Sequence, residues 1–366
     1  MKGTTRNYYA GGNTARGFTS LFESSLQGLD RIFILKGGPG TGKSTLIRSI
    51  ADDLVNRGYD IELIHCASDN GSLDGVIVPE LKVGIVDGTA PHVIEPRLPG
   101  AVEQYVNLGE AWDSARLGAH RSTIERLNGE ISQAYEFAYA GFAEALRIHD
   151  EWEAFYIDNM DYQAADELTD ECRSLLFGDG KLDKASRVDH RFLGAATPAG
   201  AVDFVPNLTE GLSRRYFIKG RPGSGKSTML KKLASTAIER GFDVEIYHCG
   251  FDPNSLDMVI VRELGFAIFD STAPHEYFPD REGDEIIDTY VRCIKPGTDE
   301  AHADALDDIK QRYSAQMKQS TRYLAQAKSL HDELERIYIS AIDFRIVDRI
   351  REQIRAEITS LIAVEG

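Results

Sequence analysis

Cysteine is scarce in this sequence: there are four, with no C-x-x-C pair, so the chain encodes neither a disulfide framework nor a thiolate zinc site. Long apolar runs are missing as well. No stretch of about 18 residues reads as a membrane span, and the start Met1-Lys2-Gly3-Thr4 has no signal-peptide core. Basic residues are in deficit, 41 against 58 acidic ones, for a formal charge of −17. That balance disfavours a nonspecific grip on nucleic acid, because neutralising phosphates takes clustered cations. These absences imply a reduced, cytoplasmic protein with neither a membrane nor a nucleic acid as its expected partner. What is present is an ordinary globular composition, 42% hydrophobic and 27% charged over 366 residues, enough chain for two cores.

Those two cores are copies of one another. At an offset of 183 residues, Arg31–Pro96 overlays Arg214–Pro279 without a gap, with 32 identities in 66 positions. The match resumes at offset 182, where His149-Asp150-Glu151 meets His331-Asp332-Glu333. The expected division is therefore residues 1–183 and 184–366, joined near Gly178–Ser186. Each half opens with an α/β core, about 8–100 and 190–282, and closes with a helical extension, about 101–177 and 283–362. Apolar strands alternating with a helix predict a parallel sheet covered on both faces. The extensions are rich in Glu, Ala, Leu and Arg at helical spacing, which predicts a hairpin or small bundle on each core.

Between the first strong strand and its helix lies Gly37-Gly38-Pro39-Gly40-Thr41-Gly42-Lys43-Ser44-Thr45, repeated as Gly220-Arg221-Pro222-Gly223-Ser224-Gly225-Lys226-Ser227-Thr228. Both fit G-x-x-x-x-G-K-[ST] in the strand–loop–helix context that the motif requires. Glycines let the backbone N–H groups turn inward around anionic oxygens, and the helix N-terminus adds partial positive charge. Lys43 and Lys226 are expected to reach the β- and γ-phosphates, and Ser44 and Ser227 to ligate magnesium. Asp87 and Asp270, each closing a later apolar strand, have the place of a Walker B aspartate that holds the metal. On these motifs the chain resembles the P-loop NTPase superfamily and, as a tandem pair, a group of bacterial tandem P-loop ATP-binding proteins. The resemblance implies two nucleotide sites with ATP and Mg2+, but no particular acceptor or partner.

Further absences narrow the class. Gly88 and Ser271 stand where many P-loop ATPases place a Glu after the Walker B Asp; there is no N-K-x-D guanine motif and no L-S-G-G-Q. ATP is the nucleotide by elimination. The segments Asp87-Gly88-Thr89-Ala90-Pro91-His92 and Asp270-Ser271-Thr272-Ala273-Pro274-His275 resemble the D-G-x-P-R loop of adenylate-kinase-like enzymes, with one residue inserted and His in place of Arg. His92 and His275 are candidate catalytic groups, as general bases, γ-phosphate sensors or struts. Weaker candidates are His65, Cys66 and Asp69 with His248, Cys249 and Asp252, then Asp74 and Asp257, and the helix faces His149/Glu153/Tyr156 and His331/Glu335/Tyr338. Three functions fit: a Mg-dependent ATPase, a phosphotransferase with an unidentified acceptor, or a nucleotide-gated interaction module. The halves are expected to pack as an intramolecular pseudo-dimer with shared sites, Arg97 and Arg281 being possible donors in trans.

Overall fold

The computed structural model describes residues 2–365. In the first half, β1 (Thr5–Tyr8), β2 (Gly11–Thr14), β3 (Gly17–Ser20) and α1 (Phe22–Ser25) lead to β4 (Arg31–Lys36), α2 (Lys43–Asn56), β5 (Ile61–His65), β6 (Leu73–Val78), β7 (Val83–Asp87) and β8 (Glu103–Asn107). The helices α3 (Ser114–Ala119), α4 (Arg121–Ile157) and α5 (Tyr162–Phe177) follow. The second half repeats this. It runs β9 (Val188–Phe192), β10 (Gly194–Thr197), β11 (Gly200–Asp203), α6 (Val205–Leu208), β12 (Arg214–Lys219), α7 (Lys226–Glu239), β13 (Val244–His248), β14 (Leu256–Val261), β15 (Phe266–Asp270) and β16 (Asp284–Asp288). It ends with α8 (Thr289–Cys293), α9 (Thr298–Ala301), α10 (Ala303–Ile339) and α11 (Phe344–Glu365).

Each half holds a six-stranded sheet, ordered β1-β5-β6-β7-β4-β8 and β9-β13-β14-β15-β12-β16. The sheets are mixed, which corrects the expectation of an all-parallel arrangement: β6 and β14 run antiparallel to both neighbours. The physical reason lies in the Cys66–Ser72 link, which is too short for a crossover helix and can only reverse the chain. A second correction concerns Glu103–Asn107 and Asp284–Asp288, which were expected to belong to the helical extensions but form edge strands beside β4 and β12. Only Val106 of β8 is buried, so the strand has no apolar stripe to announce it. β4 is buried on both faces, as expected, with Phe33 and Leu35 entering one cluster and Ile32 and Ile34 another.

The helical extensions do not stay with the cores that precede them. Val347, Ile350, Ile354 and Ile358 of α11 pack into the first half's core against Leu46, Ile50 and Leu54 of α2. Reciprocally, Leu168, Cys172 and Leu176 of α5 join Leu230, Leu233 and Phe266 in the second. Backbone bonds fix both crossings: Asp113 N–H to Ala341 O and Asp343 N–H to Ala111 O, then Asp161 N–H to Cys293 O and Lys295 N–H to Asn159 O, at 2.8 to 2.9 Å. The 37-residue helices α4 and α10 pair antiparallel, as the contacts Phe137–Tyr323 and His149–Tyr313 require. Gly141 leaves the room that Ser320 fills.

The sheets meet edge to edge, through Tyr9 N–H to Phe192 O at 3.0 Å and Phe192 N–H to Tyr9 O at 2.9 Å. Beneath this seam, Arg191 is buried and donates to both oxygens of buried Glu62 at 3.1 and 3.0 Å, with its guanidinium 4.3 Å from the Tyr8 ring centroid. Glu245 lies alongside, accepting from Arg262 and from Tyr247.

Two outcomes follow from this packing. Ile354→Ala, on α11, should destabilise by about 2–5 kcal/mol in urea melts, because it opens a cavity in the first half's core. Burial opposes ionisation of Glu245, but Arg191 and Arg262 outweigh it and hold the carboxyl at about 2 against an ordinary 4.5. Its stabilisation is therefore present above pH about 4.5 and is lost as pH falls towards 2. Glu245→Gln should be less stable by about 3 kcal/mol at neutral pH, and its deficit should shrink across that acid window. A pH-independent deficit in denaturant titrations would rule out this linkage.

Candidate functional site

The two glycine-rich loops, Gly37–Ser44 and Gly220–Ser227, connect β4 to α2 and β12 to α7, at the C-terminal ends of their strands. Gly40 and Gly223 sit at φ +66 and +72, a left-handed conformation that favours glycine. Lys43 Nζ donates to Gly37 O and Gly38 O, both at 2.9 Å, and lies 3.6 Å from Asp87 Oδ2. Lys226 Nζ donates to Arg221 O at 2.8 Å and lies 3.5 Å from Asp270 Oδ2. Ser44 Oγ accepts from Leu73 N–H at 2.9 Å and Ser227 Oγ from Leu256 N–H at 3.0 Å, which ties each loop's end to the neighbouring antiparallel strand. Thr41 and Ser224 close their loops onto Gly38 O and Arg221 O. Thr45 and Thr228 are exposed in the first helical turn.

Asp87 and Asp270 are positioned by their own turns. Oδ1 of Asp87 accepts from Thr89 N–H and its hydroxyl at 2.9 and 2.6 Å, and Asp270 does the same with Thr272 at 3.0 and 2.6 Å. That leaves Oδ2 facing the lysine. Oxygen donors from a serine hydroxyl and a carboxylate are the set that suits a hard divalent cation.

The two histidines differ. His92, 5% exposed, sets Nε2 3.4 Å from Oδ2 of buried Asp74 and packs on the Phe22 ring. His275 instead sets Nδ1 2.9 Å from Asp203 Oδ2, and the Tyr277 hydroxyl donates to the other oxygen of that carboxylate. Burial opposes a charge on either ring, but the adjoining carboxylates outweigh it and raise both above the ordinary imidazole value. With His275 turned to Asp203, Asp257 is left as a buried carboxyl, raised to about 6 chiefly by burial. Sequence reasoning ranked Asp74 and Asp257 low; the signal available was the Leu-Asp pair common to both copies, Leu73-Asp74 and Leu256-Asp257.

The remaining candidates are mostly braces. His65 bonds Asn7 at 2.9 Å and burial lowers it to about 4, while His248 contacts His190 and Pro253 O. Burial pushes the Cys66 and Cys249 thiols up, away from the reactive thiolate. Asp69 accepts from Gly71 N–H and the Ser72 hydroxyl, and Asp252 from Asn254 N–H and Arg16. Neither arginine candidate crosses to the opposite loop. Arg97 pairs with Glu23 of its own half, and Arg281 donates to Thr209 O and Leu212 O, because both leave the sheet away from the seam.

What does cross over is the C-terminal end of each long helix. Glu335 of α10 reaches the first loop, where its Oε1 accepts from Gly40 N–H at 3.2 Å. Tyr338 and Trp112 cover Gly38, and Ile339 covers Gly40. At the second loop, a side chain on Gly223 would stand 2.6 Å from Glu153 O of α4. Tyr156 of α4 donates to Asp299 at 2.8 Å, and Arg221 holds the same carboxylate at 2.9 and 3.1 Å. A cavity of about 920 Å³ opens here between loop and helices, reaching Ser227, Asp257, Asp270 and His275 on one side and His149, Glu153 and Tyr313 on the other. The His149/Asp150/Glu153 and His331/Asp332/Glu335 groups each bring three metal-competent atoms within 4.8 Å.

Comparisons with protein-family models, curated proteins and solved structures found no match to this chain. The geometry therefore stands by itself. His92→Ala should leave the buried Asp74 carboxylate unpaired and lower stability by about 3–5 kcal/mol. Thermal melts showing an unchanged midpoint would remove the bracing role and leave the ring free for chemistry.

Proposed function

We propose that the chain is a Mg-dependent P-loop ATPase with two nucleotide sites in an intramolecular pseudo-dimer. The observation that carries this reading is the Lys–Asp pair at each glycine-rich loop, 3.6 and 3.5 Å apart, with a serine hydroxyl on the residue that follows each lysine. In this reading the loop N–H groups and the N-termini of α2 and α7 cradle the phosphates. Lys43 and Lys226 leave the loop carbonyls for the phosphate oxygens, and Asp87 and Asp270 offer the carboxylate oxygen that the threonine turn leaves open. Ser44 with Asp87 and Ser227 with Asp270 would hold a magnesium ion, which when bound would supply charge neutralisation at the transferring phosphoryl group. ATP is preferred because the guanine motif is lacking.

A second reading, phosphoryl transfer to an acceptor, is favoured by the cavity at the second loop. It runs past the loop to an aromatic wall of Trp152, Phe251 and Tyr313. Product analysis separates the two, since free phosphate without acceptor supports hydrolysis and acceptor-dependent ADP supports transfer. Calorimetry should find two Mg-ATP equivalents in the parent protein and about one in Lys43→Ala or in Lys226→Ala, since each deletes a phosphate-facing cation. One equivalent in the parent would overturn the two-site assignment.

A further inference from the structure

We propose that Glu335 gates the first loop and that α10 carries the gate's movement to the second site, an inference that rests on the nucleotide-binding reading above. The Gly40 N–H lies in the loop whose amides turn towards anions, and a carboxylate from the other half already accepts from it at 3.2 Å. A terminal phosphate and the Glu335 carboxylate compete for the same donor and repel one another. Phosphate entry therefore requires Glu335 to withdraw. Glu335 sits on a helix packed against α4 along its length, and the Ile339 side chain and Glu335 O already crowd Gly40 at 2.9 to 3.0 Å of where a Cβ would stand. Because the helix backbone itself lies against the loop here, the withdrawal is taken up by a shift of α10.

The helix has a second engagement. Lys310, Tyr313 and Met317 of α10 line the cavity at the second loop. Roughly 33 Å of helix, at 1.5 Å per residue, separates Tyr313 from Glu335. Tyr313 there meets His149 and Trp152 with ring centroids at 5.8 and 6.0 Å. One stiff element thus touches both sites, which is the physical connection that coupling between sites needs. The second loop has no equivalent gate among the described contacts. Its covering helix is fastened by Tyr156, Asp299 and Arg221, and the Glu153 carboxylate faces His149 at 3.7 Å. The coupling is therefore directional in structure, with the gate at the first loop and the report at the second.

The test uses the full chain with Lys226→Ala, so that only the first loop reads, and Trp112→Phe, so that Trp152 is the remaining tryptophan of two; because Trp112 covers Gly38, this doubly substituted chain is the parent against which every Glu335 variant is compared. Titration with a non-hydrolysable Mg-ATP analogue should bind about tenfold more tightly when Glu335→Ala is added, the equivalent of one charge-assisted hydrogen bond. Glu335→Gln should tighten binding less, because its amide oxygen still accepts from Gly40. Trp152 emission should change on binding in the parent and change little in E335A, where the gate is already released. Binding of unchanged or weaker affinity in E335A, or a silent Trp152 at saturation in the parent, overturns the gate. Absence of binding in every variant, with circular dichroism intact, overturns the nucleotide reading beneath it.

Discussion

The exchange of terminal helices between halves is the constraint on which the remaining structure depends. The first sheet has α2 on one face, and the apolar surface left beside it is closed by Val347, Ile350, Ile354 and Ile358, which come from the far end of the chain. The second sheet is closed by α5 in the same way. A half without its counterpart would expose this surface to water, at about 25 cal/mol for each Å² left open. Because α5 and α11 must land on the opposite cores, the helices that precede them must span the molecule. Their ends are thereby delivered to the opposite glycine-rich loops. The covering of each loop by Glu153 or Glu335 is a geometric consequence of core closure, and no separate device is needed to produce it.

The seam also explains how two similar halves find each other and not themselves. Tyr8 and Arg191 occupy equivalent positions in the repeat, as do Arg6 and Asp189, whereas Glu62 and Glu245 are retained in both. Arg191 meets Glu62 across the seam, and Arg6 lies 3.7 and 4.0 Å from Glu62 and Glu245. Two first halves would bring Glu62 to the seam without Arg191, leaving buried carboxylates short of a partner. Divergence at these positions gives Glu62 its buried arginine partner only in the unlike pairing. Buried ion pairs contribute little net stability against apolar alternatives, but an unpaired buried charge is strongly disfavoured, so the network acts as a selector.

Much of this was legible in the residues. The repeat, the strand–loop–helix units and the Lys43/Asp87 and Lys226/Asp270 sets follow from local pattern, because period-2 burial and glycine-rich turns are short-range signals. The antiparallel β6 was hidden by a uniformly buried strand, Leu73–Val78, whose direction depends on the length of the turn before it. The edge strands β8 and β16 were hidden by the reverse, polar sequences whose backbone pairs at a sheet margin. Domain exchange left no local trace. The stripe Val347, Ile350, Ile354, Ile358 reads as an amphipathic helix whichever core it covers, and nothing in its spacing distinguishes the near sheet from the far one. The positions of His92 and His275 were similarly underdetermined, since what separates them is Asp203 in one copy against Ser20 in the other, on a hairpin remote in sequence.

The missing carboxylate after Asp87 and Asp270 has a packing explanation. A side chain at Gly88 would run into Ile34 of β4 and crowd the Lys36 stem, whose ammonium is committed to Gly88 O and Ile94 O. At the second copy Ser271 is fully buried, with its hydroxyl donating to Tyr277 O and Lys219 bonded to its carbonyl. A glutamate at either position would have to displace Ile34 of β4 or the buried Ser271–Tyr277 bond, and overpacking of this kind is destabilising. Beyond Asp87 and Asp270, a further carboxylate beside these loops must therefore approach from outside the sheet. In this fold the elements lying over the loops are the ends of α4 and α10, and the carboxylate that reaches a loop amide is Glu335. The local sheet packing and the exchange of helices are thus complementary, since the first leaves no room for a second carboxylate next to Asp87 or Asp270 and the second supplies one to the first loop from the other half.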